Sequence, residues 1–151
     1  MVSKVVVVHT LQDGPPVKLL GGFLYLIHTR NTGAAFSLAS GFTVVLTAIA
    51  IGVVIFIARM SRRLYSTGWA VALGLVMGGA SGNLADRLFR EPGPMRGGVV
   101  DFLSLLDPVS PPWPVFNLAD SALVVGVCLA VLLELRGYRI DGRRVKSSDD
   151  G

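Results

Sequence analysis

Three long apolar segments dominate this chain, and its polar residues gather in the stretches between them. The apolar segments run over about 42–60, 67–85 and 115–135. A helix needs about 20 mostly apolar residues to cross a bilayer, so each segment predicts a membrane-spanning helix. The predicted fold class is therefore mainly α: a polytopic membrane helical bundle with three spans present.

The region from 17 to 40 follows a different pattern. Short β-prone runs alternate there with Gly21, Gly22 and Gly33. Such interruptions favour strands or an interfacial hairpin over a span, so we expect a small extracytoplasmic β element. The stretch 91–114 contains six prolines and predicts an irregular loop. Residues 137–151 are polar, and we expect a disordered tail there.

Small residues line one stripe of the second apolar segment, where Gly74, Gly78 and Gly82 stand four apart. Lipid gives two helices no hydrophobic reason to associate, so helices in a membrane pair where small residues let their backbones approach. This stripe therefore predicts a tight contact with a neighbouring helix.

Composition and charge also indicate an integral membrane protein. The chain is 52% hydrophobic and 16% charged, whereas a soluble domain is about 45–50% apolar and about 25% charged. Its net charge of +4 does not point to nucleic acid, because no basic face carries interleaved aromatics. By the positive-inside rule, the basic turn at 59–63 and the tail after 135 are cytoplasmic. The loop 86–114 and everything before residue 42 then lie outside.

The tetrapeptide NLAD occurs twice, at 83–86 and at 117–120. In each copy the Asn and the Asp are three apart and share a helix face. Both copies fall at the predicted outer boundary of the membrane, so they can meet in space. An ionised carboxylate at bilayer depth costs at least about 2.5–3.5 kcal/mol, and Asp120 lies about five residues into its predicted span. We interpret Asp120 as functional; the alternative is a carboxylate paired with Arg87 as packing.

Asp101 lies in the apolar stretch VVDFLSLL, which suggests a half-buried carboxylate. The alternative is an ordinary loop aspartate, or the cap of a short helix. Two carboxylates in a poorly hydrated site share one proton near neutrality. The ionised member can take a proton from water, while the protonated member donates to a carbonyl oxygen or a leaving amine. Such a pair predicts amide hydrolysis without a covalent intermediate.

Other chemistries receive less support from the sequence. The two histidines do not form a pair with metal-ligand spacing, which argues against zinc. A hard-metal site built from Asp86, Asp101 and Asp120 stays open, and Ser121 and Lys4 cannot be placed together as a dyad. The alternative function is a small proton-coupled transporter, which predicts carboxylates near the bilayer midplane.

Four motifs occur in a fixed order: NTGAAFS at 31–37, GNLADR at 82–87, VVDF at 99–102 and FNLADS at 116–121. In this order the chain, from residue 2 to about 136, resembles the lipoprotein signal peptidases (signal peptidase II). The resemblance implies an aspartic endopeptidase of the bacterial inner membrane that needs no metal or cofactor. It implies cleavage of prolipoproteins before a diacylglyceryl-modified cysteine, on the extracytoplasmic side. Its partners would be lipid-modified prolipoproteins and membrane lipid.

The matching motifs also imply roles for particular residues. Asp101 and Asp120 correspond to the two catalytic aspartates. Substrate-binding or supporting roles fall to Asn31, Gly33, Asn83, Asp86, Arg87 and Asn117. The region 17–40 corresponds to the family's surface β-cradle, and the stretch before Asp101 to its substrate-covering segment. Residues 1–136 would then form one membrane-embedded peptidase domain, and 137–151 a cytoplasmic tail.

The beginning of the chain departs from the family pattern. The family has four spans, and its first span ends in an Asp followed a few residues later by Ser-Lys. Ser3 and Lys4 match that ending, but the chain begins after the position of the Asp. We therefore expect that the first span is missing from this sequence.

Overall fold

The computed structural model describes residues 1–32 and 41–144. Four α-helices and three strands make up this part of the chain. The helices are α1 (Val2–Leu11), α2 (Gly41–Met60), α3 (Thr67–Phe89) and α4 (Leu118–Leu135); the strands are β1 (Val17–Leu19), β2 (Leu24–Asn31) and β3 (Val99–Leu105). Gly33, a predicted site residue, lies outside the described residues.

Within the described residues, three helices are long and apolar enough to cross a membrane. They cover Thr43–Met60 of α2, Thr67–Phe89 and Leu118–Leu135, with mean hydropathies of 2.4, 1.2 and 2.2. At 1.5 Å per residue, 18 residues extend about 27 Å, close to the ~30 Å of a hydrocarbon core. α3 packs against both α2 and α4. The predicted mainly helical fold class is confirmed.

The third span begins later than the sequence suggested, because Asn117 ends the preceding loop. Its backbone is extended and its side-chain oxygen accepts hydrogen bonds from the N–H groups of Ala119 and Asp120. An Asn in this position caps a helix by satisfying backbone donors that have no partner within it. α4 therefore starts at Leu118, and Asp120 lies in its first turn instead of five residues inside the span.

A small antiparallel sheet accompanies the helices, with β2 between β1 and β3. Lys18 of β1 lies opposite Tyr25 of β2. On the other side of β2, Thr29 lies opposite Asp101 and Asn31 opposite Val99. The predicted β element is confirmed, and its two strands span Val17–Leu19 and Leu24–Asn31.

The irregular loop predicted at 91–114 is wrong over Val99–Leu105, which forms β3. The prolines of this stretch all lie before or after the strand. β3 pairs along its length with β2, and it consists mainly of β-branched and large apolar residues, which favour a pleated, buried surface. The strand therefore forms in the proline-free part of this stretch.

The short helix α1 packs its Val7 against the sheet, in a buried cluster with Val100, Phe102 and Leu103. α1 has ten residues, fewer than a span requires. The same helix carries Lys4 inward, where the side chain is only 2% exposed. That a span is missing before α1 stays a prediction.

The close contact of α3 with α4 is centred on Gly79, not on the predicted glycine stripe. A Cβ at Gly79 would lie 2.4 Å from the Ala119 carbonyl oxygen, and one at Gly126 would lie 2.8 Å from that of Ala72. A Cβ at Gly74 or Gly78 would meet no described atom within 4 Å. Only Gly82 of the stripe approaches α4, near the Ala119 side chain.

The chain does not become irregular directly after α4. Residues 138–144 form a turn closed by pairing between Tyr138 and Arg144. Trp69 Nε1 donates to the Tyr138 carbonyl oxygen at 2.8 Å, and the Tyr65 N–H donates to that of Ile140 at 3.0 Å. The disordered tail expected from 137 onward is therefore not observed up to residue 144; the residues beyond lie outside the described part.

Candidate active site

The N-terminus of α4 fixes the first carboxylate, that of Asp120. The Asn117 backbone N–H donates to Asp120 Oδ2 at 3.0 Å, while Asn117 Oδ1 accepts from the Asp120 N–H at 3.2 Å. This reciprocal pair is a capping box. The partial positive charge of a helix N-terminus favours an anion there. The capping box therefore holds the Asp120 carboxylate at the N-terminal end of α4 in a defined orientation.

Strand β3 supplies the second carboxylate, that of Asp101. Its side chain is 2% exposed, and Asn117 Nδ2 donates to its Oδ1 at 2.6 Å. Burial raises the pKa of Asp101, and the nearby Asp120 acts in the same direction. Hydrogen bonds from Asn117 and Asn31 oppose this rise in the pKa. Asp101 is thus a strand residue, neither a loop aspartate nor a helix cap.

The two NLAD copies meet through their asparagines. Asn117 Nδ2 lies 3.2 Å from Asn83 Oδ1, and Asn83 Nδ2 donates to Asp120 Oδ1 at 2.7 Å. Asn117 is completely buried and binds both aspartates, Asp120 through its backbone and Asp101 through its amide. A single rigid network therefore links the carboxylates of β3 and α4.

Both carboxylates line one cavity of about 270 Å³, called here the aspartate cavity. Its other lining residues include Asn31, Asn83, Arg87 and Trp113. A second hollow of about 340 Å³, the apolar groove, shares Trp113, Phe116 and Asp120 with it and continues along Ser121, Val124 and Val125 of α4. Val124 and Val125 are 63% and 55% exposed on a candidate span. The apolar groove therefore connects the aspartate cavity with an exposed apolar face of α4.

Arg87 lies at the aspartate cavity without the ion pair that the packing alternative requires. Asp120 is bound by the Asn83 amide and the Asn117 backbone, and no ion pair joins it to Arg87 in the described part of the chain. Arg87 Nη1 is buried and has no hydrogen-bond partner among the described residues. Its guanidinium lies within electrostatic reach of both Asp101 and Asp120. A free, fixed donor in the aspartate cavity is suited to a carbonyl oxygen of a bound peptide.

Asp86 belongs to a different set of contacts. Its Oδ2 accepts from Lys4 Nζ at 2.6 Å and from the Val100 N–H at 3.0 Å, and its Oδ1 accepts from Arg90 Nε at 2.5 Å. This buried carboxylate joins α1, α3 and β3 at one point, and all its contacts lie outside the aspartate cavity. Gly97 lets β3 approach, because a Cβ there would lie 2.2 Å from the Asp86 carbonyl oxygen.

The structure does not assemble the three-aspartate metal site that the sequence left open. Across residues 1–32 and 41–144, no three side chains of His, Cys, Asp or Glu are grouped to hold a metal ion. Lys4 Nζ binds Asn83 and Asp86, while the Ser121 hydroxyl donates to the Asn117 carbonyl oxygen. A dyad of Ser121 and Lys4 is therefore not formed either.

Sequence reasoning placed most of the polar site but missed two cations. Lys4 was considered only for a dyad with Ser121 and as part of a family ending, and its contacts lie about 80 positions further along the chain. Arg90 could have been found, since it follows Asp86 by four residues on one helix face. Asn31 ends β2 opposite Val99 and hydrogen-bonds Asp101. Its supporting role stays a prediction.

Comparisons with known proteins agree with this geometry. The family model described as "Signal peptidase (SPase) II" matches residues 1–136. A lipoprotein signal peptidase of Mycobacterium avium is 52% identical over 149 residues, covering 97% of this chain and 79% of that protein. One of Mycobacterium tuberculosis is 52% identical over 146 residues, covering 95% and 70%. A bacterial membrane enzyme solved by the in meso method has a TM-score of 0.75 and 31% identity, covering 89% of this chain and 84% of its own.

Proposed function

Since this chain belongs to the signal peptidase II family, we propose that Asp101 and Asp120 are the catalytic pair of its reaction. The chain is a multi-pass aspartic membrane peptidase that cleaves the signal peptides of prolipoproteins. The observation that carries the proposal is the double role of Asn117, which binds both carboxylates at the rim of one cavity. Two carboxylates held in this way can act as general acid and general base in amide hydrolysis without a covalent intermediate.

The surroundings of the two carboxylates support different roles for them in the reaction. Asp120 accepts two hydrogen bonds from N–H donors and lies in the first turn of α4, where a negative charge is favoured. Asp101 is buried in the sheet, and its burial raises its pKa. We therefore assign Asp101 as the proton donor of the pair and Asp120 as the proton acceptor.

Hydrolysis then follows from these two roles. Asp120 takes a proton from a water molecule as the water oxygen attacks the carbonyl carbon of the scissile peptide bond. Asp101 gives its proton to the carbonyl oxygen, which yields a neutral tetrahedral diol. The proton on Asp120 passes to the peptide nitrogen, the C–N bond breaks, and Asp101 recovers its proton from the diol. The products are the signal peptide carboxylic acid and the free amine of the mature lipoprotein.

The apolar groove supports a lipid-modified substrate. It begins at Asp120 and runs along exposed apolar residues of α4, a candidate membrane span. A cysteine carrying a diacylglyceryl group could bring its acyl chains along this surface without passing through water. Its peptide bond would then reach the aspartate cavity, where Arg87 and Asn31 bind the peptide backbone. Cleavage before a diacylglyceryl-modified cysteine, with entry from the bilayer, is therefore the preferred mode.

The charge distribution supports an extracytoplasmic active site in the bacterial inner membrane. The turn at 138–144 carries three exposed arginines and contacts Trp69 near the start of α3. Asn83 lies about 21 Å further along the same helix, at 1.5 Å per residue. The positive-inside rule assigns the arginine-rich end to the cytoplasm. The aspartate cavity then opens at the opposite face, where translocated substrates are found.

The transporter alternative requires carboxylates near the bilayer midplane. Asp120 lies in the first turn of α4 and Asp101 in a strand outside the candidate spans. Both carboxylates are therefore at one end of the helical bundle. No observation favours transport over hydrolysis.

The decisive experiment is cleavage of a purified diacylglyceryl-modified prolipoprotein in membranes that lack the host enzyme. We expect Asp101→Asn and Asp120→Asn each to lower kcat by about 10²–10⁴-fold, the usual contribution of a general acid or base. Asp141→Asn, on the exposed turn after α4, is the control for removing a carboxylate. Activity should persist with a chelator, and a prolipoprotein without the diacylglyceryl group should be a poor substrate. Full activity in either of the first two variants would falsify the pair.

A further inference from the structure

Lys4 is a charged side chain that the proposed reaction does not use and that is nevertheless buried. It lies on α1 with 2% of its surface exposed. Its Nζ donates to Asn83 Oδ1 at 2.8 Å and to Asp86 Oδ2 at 2.6 Å. Taking an ammonium group out of water is costly, and an apolar side chain of similar length would fill the same space without that cost. The contacts of Lys4 therefore need a reason beyond packing.

The contact with Asn83 has a direction that matters for the aspartate cavity. An ammonium group can only donate hydrogen bonds, so Asn83 must turn its carbonyl oxygen toward Lys4. The NH₂ group of Asn83 is then left to face Asp120, where it donates to Oδ1 at 2.7 Å. The two ends of an amide side chain are nearly the same size, so hydrogen-bond partners decide which end points where.

We propose that Lys4 is a positioning residue: by fixing the Asn83 amide, it keeps an NH₂ donor on the carboxylate that activates water. The proposal rests on the proposed function of Asp120. Asn117 Nδ2 also reaches Asn83 Oδ1, but at 3.2 Å and while donating to Asp101 at 2.6 Å. Without Lys4, the Asn83 carbonyl oxygen would keep only this longer contact, and the hydrogen bond of its NH₂ group to Asp120 would be the amide's other anchor. A flipped Asn83 would then face the Asp120 carboxylate with an oxygen, acceptor against acceptor.

A competing explanation is that Lys4 only neutralises Asp86. Asp86 is 1% exposed and would lose one of its three hydrogen-bond donors with Lys4. The two explanations differ in which partner carries the effect, Asn83 or Asp86. Combined substitutions can separate them, because residues that act through one contact give non-additive effects.

The test measures kcat and KM for cleavage of a diacylglyceryl-modified prolipoprotein by the full chain in membranes. Lys4→Met should lower kcat by about 10- to 100-fold, as loss of a group that orients a reacting residue does. KM should stay unchanged, because Lys4 lies outside the aspartate cavity. Lys4→Arg, which keeps a donor-only cation, should recover part of kcat. Lys18→Met, at an exposed lysine of β1, is the control.

Two double variants decide between the explanations. In an Asn83→Ala background, adding Lys4→Met should cause little further loss, because the amide it orients is gone. Lys4→Met with Asp86→Asn should remain as slow as Lys4→Met, since removing the unpaired charge does not restore the amide. Additive losses with Asn83→Ala, recovered activity with Asp86→Asn, or wild-type kcat in Lys4→Met would each overturn the positioning role.

Folding is measured on the same samples by thermal unfolding. If Lys4→Met alone does not fold, the double variant Lys4→Met/Asp86→Asn is compared with the single variant Asp86→Asn. Neither of these variants contains an unpaired Asp86 carboxylate. A lower kcat in the double variant than in Asp86→Asn supports the proposal, and an equal kcat rejects it. Failure of the proposed catalytic pair can be told apart from failure of the positioning role. In the first case Asp120→Asn would stay active, whatever kcat the Lys4 variants show.

Discussion

At the scale of single residues, the burial of Asp101, a proposed catalytic residue, affects the stability of the fold. Burial raises its pKa, so the folded protein favours the protonated carboxyl group. The unfolded chain releases this proton at a lower pH than the folded chain does. Stability from Asp101 is therefore fully present below the unfolded pKa and is lost as the pH rises through the raised, folded value. Above that value the remaining cost is constant.

We expect Asp101→Asn to lose most of its activity but to be more stable than the wild type at neutral pH. Asn117 can still donate to the oxygen of the new amide, while the cost of a buried charge is gone. Tm should exceed that of the wild type by about 2–4 °C for each kcal/mol removed. The gain should grow with rising pH between about pH 4 and 8. Thermal unfolding across this range checks the prediction, and a pH-independent difference in Tm contradicts it.

Asp107 offers a control of opposite sign. The N–H groups of Ser110 and Val109 hydrogen-bond its carboxylate and lower its pKa. A lowered pKa contributes stability above the unfolded value and loses it as the pH falls. Asp107→Asn should therefore lower Tm at neutral pH and have less effect at acidic pH.

At the scale of elements, the contact between α3 and α4 holds Asn83 and Asp120 together. Its tightest point is Gly79, where a Cβ would lie 2.4 Å from the Ala119 carbonyl oxygen. Backbone cannot move aside as a side chain can, so Gly79→Ala should destabilise the fold by about 1–3 kcal/mol. Gly78→Ala, one residue away with open space, should be neutral or stabilising by up to about 1 kcal/mol.

The two alanine variants are compared by thermal unfolding and by prolipoprotein cleavage. Gly79→Ala should also lose activity, since separating α3 from α4 moves Asn83 away from Asp120. If Gly78→Ala destabilised the chain as much as Gly79→Ala, the stripe of Gly74, Gly78 and Gly82 would be the true contact. The sequence alone cannot choose between these faces, because all four glycines belong to one small-residue helix.

How far the sequence predicted each element depends on where its partners lie. The spans, β1, β2 and the two NLAD copies rest on local hydrophobicity and spacing, and they were found. β3 was missed because Val99–Leu105 becomes a strand by pairing with β2, about 70 positions earlier. The start of α4 was misjudged because Val115 and Phe116 are apolar, whereas the cap at Asn117 sets the boundary. Lys4 was left without a role because its partners are equally distant in sequence.

At the scale of the whole molecule, the distribution of positive charge predicts which end of the helical bundle faces the cytoplasm. The arginine-rich turn lies at one end and the aspartate cavity at the other. The two ends should therefore face opposite sides of the membrane, which can be tested. Ser110, in the loop after β3, and Arg139, in the turn after α4, are both exposed. The positive-inside rule assigns Ser110 to the outside and Arg139 to the cytoplasm.

Cysteine labelling in intact cells tests this polarity. The one native cysteine, Cys128, is exposed on α4 and is first replaced by serine. In that background, a membrane-impermeant maleimide should label Ser110→Cys in intact cells and Arg139→Cys only after permeabilisation. The opposite pattern would put the aspartate cavity in the cytoplasm, where substrates not yet translocated would meet it. The expected pattern would instead make cleavage follow translocation, because the proposed catalytic carboxylates would be reached only from the outer face.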